Sequence, residues 1–234
     1  MRRSPTAAFT LIEMMTVIAV IVILTGLVLN IAGYANRKGA LARAEGEIQM
    51  ISSACESYKA DNGNYPRDVP DSGSGGVTDL LSPKQHFSPV ASVYTNASLF
   101  LYKELSGDKT GTSGGGLPDG VPDANEPRYF KELDMRILNT KKDATTKAII
   151  QVNYIQDPFG FAYGYSTAAA SIEQNFQRDL KLGTANPKRK TGDALRGFNT
   201  GSFDLWSTGG DNTTSSPGSD ANKALKWAKW VKNW

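Results

Sequence analysis

Charged residues are absent from Met14 to Asn36, where most positions hold Val, Ile, Leu, Met or Ala. As a helix, about 20 such residues cross a hydrocarbon layer of ~30 Å. The apolar period continues beyond this run. Leu41, Ala44, Ile48, Ile51, Cys55 and Tyr58 recur at steps of three and four, which places them on one stripe of a helix. No proline interrupts Phe9 to Tyr65, and Asp61-Asn62-Gly63 supplies a stop with glycine in the C-cap region. The pattern therefore predicts a single helix over residues 9–62, on the order of 75–80 Å long at 1.5 Å per residue. Its first half is apolar all round. Its second half is amphipathic and needs a partner to cover the stripe, so the rest of the chain is expected to pack there, with Cys55 as a buried structural thiol.

After Gly63 the pattern breaks into short pieces. Ser72 to Gly76 and Gly111 to Gly116 are rich in Gly and Ser and read as surface loops. Between them, Asn96 followed by Leu99, Leu101, Tyr102 and Leu105, with Gly107 after, reads as a short capped helix. Ala148 to Gln156 reads as a strand and Asp157-Pro158-Phe159-Gly160 as a turn. Phe161 to Thr167 reads as a returning strand, and Gly201 to Ser207 alternates as a third. The C-terminus spaces Lys223, Lys226, Lys229 and Lys232 around Trp227, Trp230, Val231 and Trp234. A basic aromatic helix can lie on a membrane or meet a partner. The simpler expectation is that the aromatics pack on the sheet and cover the long helix while the lysines stay solvated. A long helix followed by a small antiparallel sheet is an α+β arrangement.

Composition narrows the chemistry. The chain has 234 residues with 40% hydrophobic and 21% charged side chains, enough apolar content for a packed core, and a net charge of +3. Neither half is strongly basic, so nucleic-acid binding by bulk electrostatics is not expected. The one cysteine excludes an intrachain disulfide, and the one histidine, His86, cannot complete a zinc site alone. His86 is also the only base for a hydrolytic triad. It lies in Ser82-Pro83-Lys84-Gln85-His86, read as a solvated loop with no G-x-S-x-G motif beside it. The expectation is a chain that is not an enzyme.

The extreme N-terminus is unusual in order. A secretory signal has a short apolar region followed by small residues at a cleavage site, whereas here Ala7 and Ala8 precede the apolar run. Arg2 and Arg3 favour a cytoplasmic N-terminus, although Arg37, Lys38 and Arg43 on the far side leave the charge rule alone ambiguous. Glu13 stands at the edge of the apolar segment, where an ionised carboxylate is costly and marks a functional site by default. Its other reading is as a favourable charge at the positive end of the helix dipole.

Ala8-Phe9-Thr10-Leu11-Ile12-Glu13, after a short basic leader and before a long apolar run, resembles the class III signal of type IV pilin-like proteins. The resemblance implies that residues 1–8 are a leader removed by a prepilin peptidase. The cut would fall on the cytoplasmic side between Ala8 and Phe9, followed by N-methylation of Phe9. It further implies that Glu13 pairs with the N-terminal amine of a neighbouring subunit, a partner that makes a carboxylate in hydrocarbon tolerable once the subunits assemble. Ala8 stands where glycine is usual before the cut. Asn30 stands where many members have a helix-kinking proline, with Gly26 and Gly33 as nearby weak points of ~1 kcal/mol each relative to Ala.

Asp61 to Pro66, Asp157-Pro158-Phe159-Gly160 and Thr208-Gly209-Gly210-Asp211 are similar to segments of the major pseudopilins of type II secretion. The likeness covers roughly Ala8 to Pro66 and Asp157 to Trp234. It implies a pilin-like globular domain over 63–234, with 67–153 as an enlarged loop region. It also implies calcium at Asp211 and Asp220 in the C-terminal loop. Calcium takes six to eight oxygens, and Asn212, Asn222 and nearby carbonyls could add to the two carboxylates. Here Asn212 replaces the family glycine and the acids are few, so a plain Asx-rich turn is equally open. Asp119 to Glu126 also looks like a fragment of an Asp-rich calcium repeat, without the full alternating series.

The implied role is structural. The chain would be a pseudopilus subunit anchored once in the inner membrane, N-terminus cytoplasmic and globular domain periplasmic, and then incorporated into a periplasmic or surface filament. Its partners would be other copies of itself, minor pseudopilins, the peptidase and an inner-membrane assembly platform. Two alternatives stay open. One is a type IV pilus subunit for adhesion or motility, a group that commonly carries a C-terminal disulfide loop this chain cannot form. The other is a binding or enzymatic domain tethered by an ordinary anchor.

Overall fold

The computed structural model describes residues 9–68, 76–111, 116–130, 134–183, 197–213 and 218–234. The chain is an α+β protein with a long N-terminal helix and small antiparallel sheets. Its contacts divide into two units, Met1–Ala42 and Arg43–Trp234, with the boundary inside the first helix, α1, Leu11–Asn62. The second half of α1 therefore belongs with the globular part by its contacts. The reason is the amphipathic stripe, which is part of the globular core.

α1 ends where its sequence stops it. Gly63 takes φ 78°, and its N–H donates to the Lys59 carbonyl at 2.8 Å. Within the first unit the large apolar side chains from Phe9 to Leu27 are 48–78% exposed. Within the second unit Ile48, Ile51, Ala54 and Cys55 are buried in the main core with Leu101, Leu105, Ile155, Tyr163 and Leu205, so the expected cover for the stripe is present. Cys55 is fully buried, which pushes its thiol well above the usual range.

Region 67–153, expected to be an enlarged loop region, contains regular elements among its described residues. It holds α2 (Val77–Leu80), α3 (Ser92–Ser106), β1 (Leu138–Lys142) and most of β2 (Ile149–Ile155). Asn96 does not cap α3. The helix starts a turn earlier, after Ala91, which makes no side-chain cap, because burial of Tyr94, Ala97 and Leu101 extends the apolar face backwards. Ser72 to Ser74, Gly75 and most of the Gly111 to Gly116 stretch lie outside the described residues.

The strands form two sheets. β1 and β2 pair antiparallel with two register shifts. β3 (Gly164–Ser166), β4 (Asp204–Ser207) and β5 (Val231–Lys232) make the other, in the order β3-β4-β5. The expected return of Phe161–Thr167 onto β2 is reduced to one bridge between Gln156 and Ala162. The Asp157 carboxylate, accepting from the N–H groups of Phe159 and Phe161, fixes the turn so that the chain leaves the first sheet and pairs with β4. α4 (Ala168–Lys181) follows β3, and α5 (Asp220–Trp227) precedes β5.

The C-terminal aromatics do pack inward, but not against α1. Trp230 stacks on Trp206 of β4 at 5.8 Å and 6°, and joins Leu81, Phe87, Tyr94 and Ala97 in a second cluster. α3 and the sheet supply the cover for α1, so the C-terminal residues are free to seal the other face of β4.

Candidate functional site

The N-terminal turn of α1 is built as a reciprocal cap. The Thr10 N–H donates to Glu13 Oε2 at 2.8 Å, the Thr10 hydroxyl donates to the same oxygen at 2.7 Å, and the Glu13 N–H donates to Thr10 Oγ1 at 3.3 Å. This is the S/T-x-x-E capping box, which satisfies N–H groups that a helix start otherwise leaves open. The signal Thr10-x-x-Glu13 is present in the sequence. Glu13 stands in the first turn of α1, at the positive end of the helix dipole, and the structure adds local hydrogen bonding to that placement. Within the next turn, the Thr16 hydroxyl donates to the Glu13 carbonyl at 2.9 Å.

Beyond that turn the helix presents apolar side chains on every side, and it is long and apolar enough to cross a membrane. Phe9, the residue expected to become the N-terminus, precedes the helix and is 76% exposed. Ala8, the expected residue before the cut, lies outside the described residues with the rest of the leader, Arg2 and Arg3 included.

Asp211 and Asp220 fall on different elements. Asp211 follows β4 in a turn. Its Oδ1 accepts from the N–H of Thr213 at 3.0 Å and from the Thr213 hydroxyl at 2.8 Å. Burial raises its pKa, but those bonds, with Lys226 and Lys229 nearby, outweigh burial and hold it below the usual range. The Lys226 ammonium donates to the Thr213 hydroxyl. Asp220 opens α5 beside the Ser219 cap and accepts from Lys223 at 3.0 Å. Among the described residues, no three His, Cys, Asp or Glu side chains are grouped to hold a metal ion. In the structure the Asp211 carboxylate is bonded to Thr213 and that of Asp220 to Lys223. Residues 214–217 of the loop lie outside the description.

In the Asp119–Glu126 segment the carboxylates hold backbone. Asp119 Oδ1 accepts from the Val121 N–H, and Asp123 Oδ2 from those of Lys109 and Thr110. The buried Asp108 accepts from the Gly120 N–H at 2.7 Å and the Tyr102 hydroxyl at 2.8 Å. His86 is half-buried and not solvated as expected. Its Nδ1 accepts the Ser82 N–H at 3.1 Å, and its carbonyl accepts the Tyr94 hydroxyl at 2.8 Å, which ties the loop to α3.

No family model, curated protein or solved structure matches the chain. The functional reading therefore rests on the residues themselves.

Proposed function

We propose that the chain is a structural subunit of a cell-envelope pseudopilus, polymerising through its N-terminal helix to support type II protein secretion. The observation that carries the reading is the pairing of a fully apolar, exposed helix with one carboxylate, Glu13, placed in its first turn. In hydrocarbon that carboxylate is unfavourable, and the hydrogen bonds from Thr10 offset the cost only in part. An ammonium from a neighbouring chain would complete it, which makes assembly and charge neutralisation one event. In this reading residues 1–8 are removed, and Phe9 carries the amine. The anchor crosses the inner membrane once with its start in the cytoplasm, and no residue performs catalysis. Copies of the chain, minor pseudopilins, the peptidase and an assembly platform are its partners. The reading does not depend on calcium.

Co-expression with a prepilin peptidase, followed by mass spectrometry of the N-terminus, tests it. A mature chain beginning with N-methylated Phe9 supports the proposal. An intact Met1, or cleavage beyond residue 30, overturns it.

A further inference from the structure

The C-terminal end of the globular unit carries ammonium groups on an aromatic floor. Phe198 stacks on Trp234 at 4.6 Å and meets Trp227 edge-on at 5.1 Å, and Trp227 lies 6.2 Å from Phe87. Three lysines rest on these rings: Lys84 at 4.6 Å from the Phe198 centroid, Lys226 at 5.6 Å from Phe87 and Lys232 at 5.4 Å from Trp234. Further bonds fix the floor. The Trp227 indole N–H donates to the Pro83 carbonyl, and Lys232 donates to the Trp227 carbonyl, both at 2.9 Å. Lysines laid on rings have given up part of their rotamer freedom, so a partner recovers more of the charge interaction. Lys229, three residues past Lys226, is exposed, and the two lysines together outnumber the Asp211 carboxylate near them.

The opposite charge stands on α1. Glu45 and Glu56 are both exposed and lie eleven residues apart, which puts them on one face, about 16 Å along the axis. Glu45 has Leu41, Ala42, Ile48 and Gln49 at its helical neighbour positions, none of them a cation. Lys59, one turn beyond Glu56, donates to the Tyr65 hydroxyl at 3.2 Å, and that hydroxyl donates in turn to Glu56 Oε1 at 2.9 Å, which holds the Glu56 carboxylate on this face. A filament needs two different, mutually complementary patches on every subunit, because a single self-complementary patch closes into a pair. Resting on the filament reading, we infer that the lysine face around Lys84 and Lys229 docks on the Glu45–Glu56 face of α1 in a second copy of this chain.

The test uses the full-length chain under conditions in which the wild type forms filaments. Lys84→Glu with Lys229→Glu, or Glu45→Lys with Glu56→Lys, is expected to lower filament yield by about tenfold or more, since like charges then face each other. The four substitutions together restore complementarity and recover the yield. Independently, Lys229→Cys with Glu45→Cys gives disulfide-linked ladders in filaments, over a low background because Cys55 is buried. Unchanged yield in either reversed pair, no recovery in the fourfold variant, or no ladder overturns the inference while leaving the filament reading intact. So does an outcome in which the lysine variants lose only binding to phosphatidylglycerol vesicles, which assigns the face to a membrane surface. Absence of filaments from the wild type overturns both.

Discussion

Thr10 and Glu13 hold each other across the first turn of α1, with the Glu13 carboxylate accepting both the N–H and the hydroxyl of Thr10. The carboxylate that the filament reading assigns to a neighbour's amine is thus already oriented in the single chain, pointing back toward the residue before the helix.

Thr10→Val removes the hydroxyl from both of its bonds and leaves only the backbone donor. Loss of a threonine cap typically costs ~1 kcal/mol. Faster amide exchange confined to the first turn, measured in detergent micelles, is the expected outcome, with Thr10→Ser close to the wild type. Equal exchange in Thr10→Val would show that the cap contributes nothing.

Gly164 and Trp206 are directly paired across β3 and β4, and a Cβ on Gly164 would sit 2.2 Å from Trp206 Cε2. Trp206 cannot step aside. It is fully buried, stacks on Trp230 and donates its indole N–H to the Tyr94 hydroxyl at 3.1 Å. Gly164→Ala is expected to destabilise the globular unit by about 1–3 kcal/mol or more through overpacking. Gly201→Ala, with open space around it, serves as the neutral control. Urea unfolding followed by tryptophan fluorescence distinguishes the two.

Much of this arrangement was legible in the sequence, and the failures have definite causes. α1 was readable because its three- and four-residue apolar steps run unbroken from Leu41 to Tyr58 with no proline. α4 carries a helical signal too, Ile172, Phe176 and Leu180 at four-residue steps after Ala168-Ala169-Ala170, but it is short and sits directly behind β3, where the sequence reads as a strand as far as Thr167. β1, Leu-Asn-Thr-Lys-Lys, has only Leu138 buried, and its pairing with β2 comes from backbone bonds that no side-chain pattern announces. The expectation that Trp230 covers α1 treated the long stripe as the only surface in need of cover. Trp206 on β4 needed it too. At the N-terminal turn, the residues were identified but their mutual bonding was not.

Glu47 Oε2 accepts from the hydroxyl of the buried Tyr163 at 2.7 Å, joining the second half of α1 to the chain just before β3. Burial pushes the Glu47 carboxyl above its usual value of 4.5. The Tyr163 bond and Arg43 oppose the shift, and Asp157 and Asp134 add to it. The folded chain therefore keeps the Glu47 proton to higher pH than the unfolded chain. This group's contribution to stability falls as pH rises from about 4.5 through the folded value, then levels off. Glu47→Gln keeps a carbonyl acceptor and removes the titration. Urea midpoints at successive pH values should show the variant gaining on the wild type across that window and holding the gain at pH 7. A difference that does not change with pH would rule out the titration.

The most direct measurement is the amount of filament formed by wild-type chain and by Glu13→Ala, alongside the amount of each inserted in the membrane. Equal insertion with filaments lost in Glu13→Ala is the predicted result, because the carboxylate acts on assembly and not on anchoring. Filaments at the wild-type level in Glu13→Ala would contradict the account.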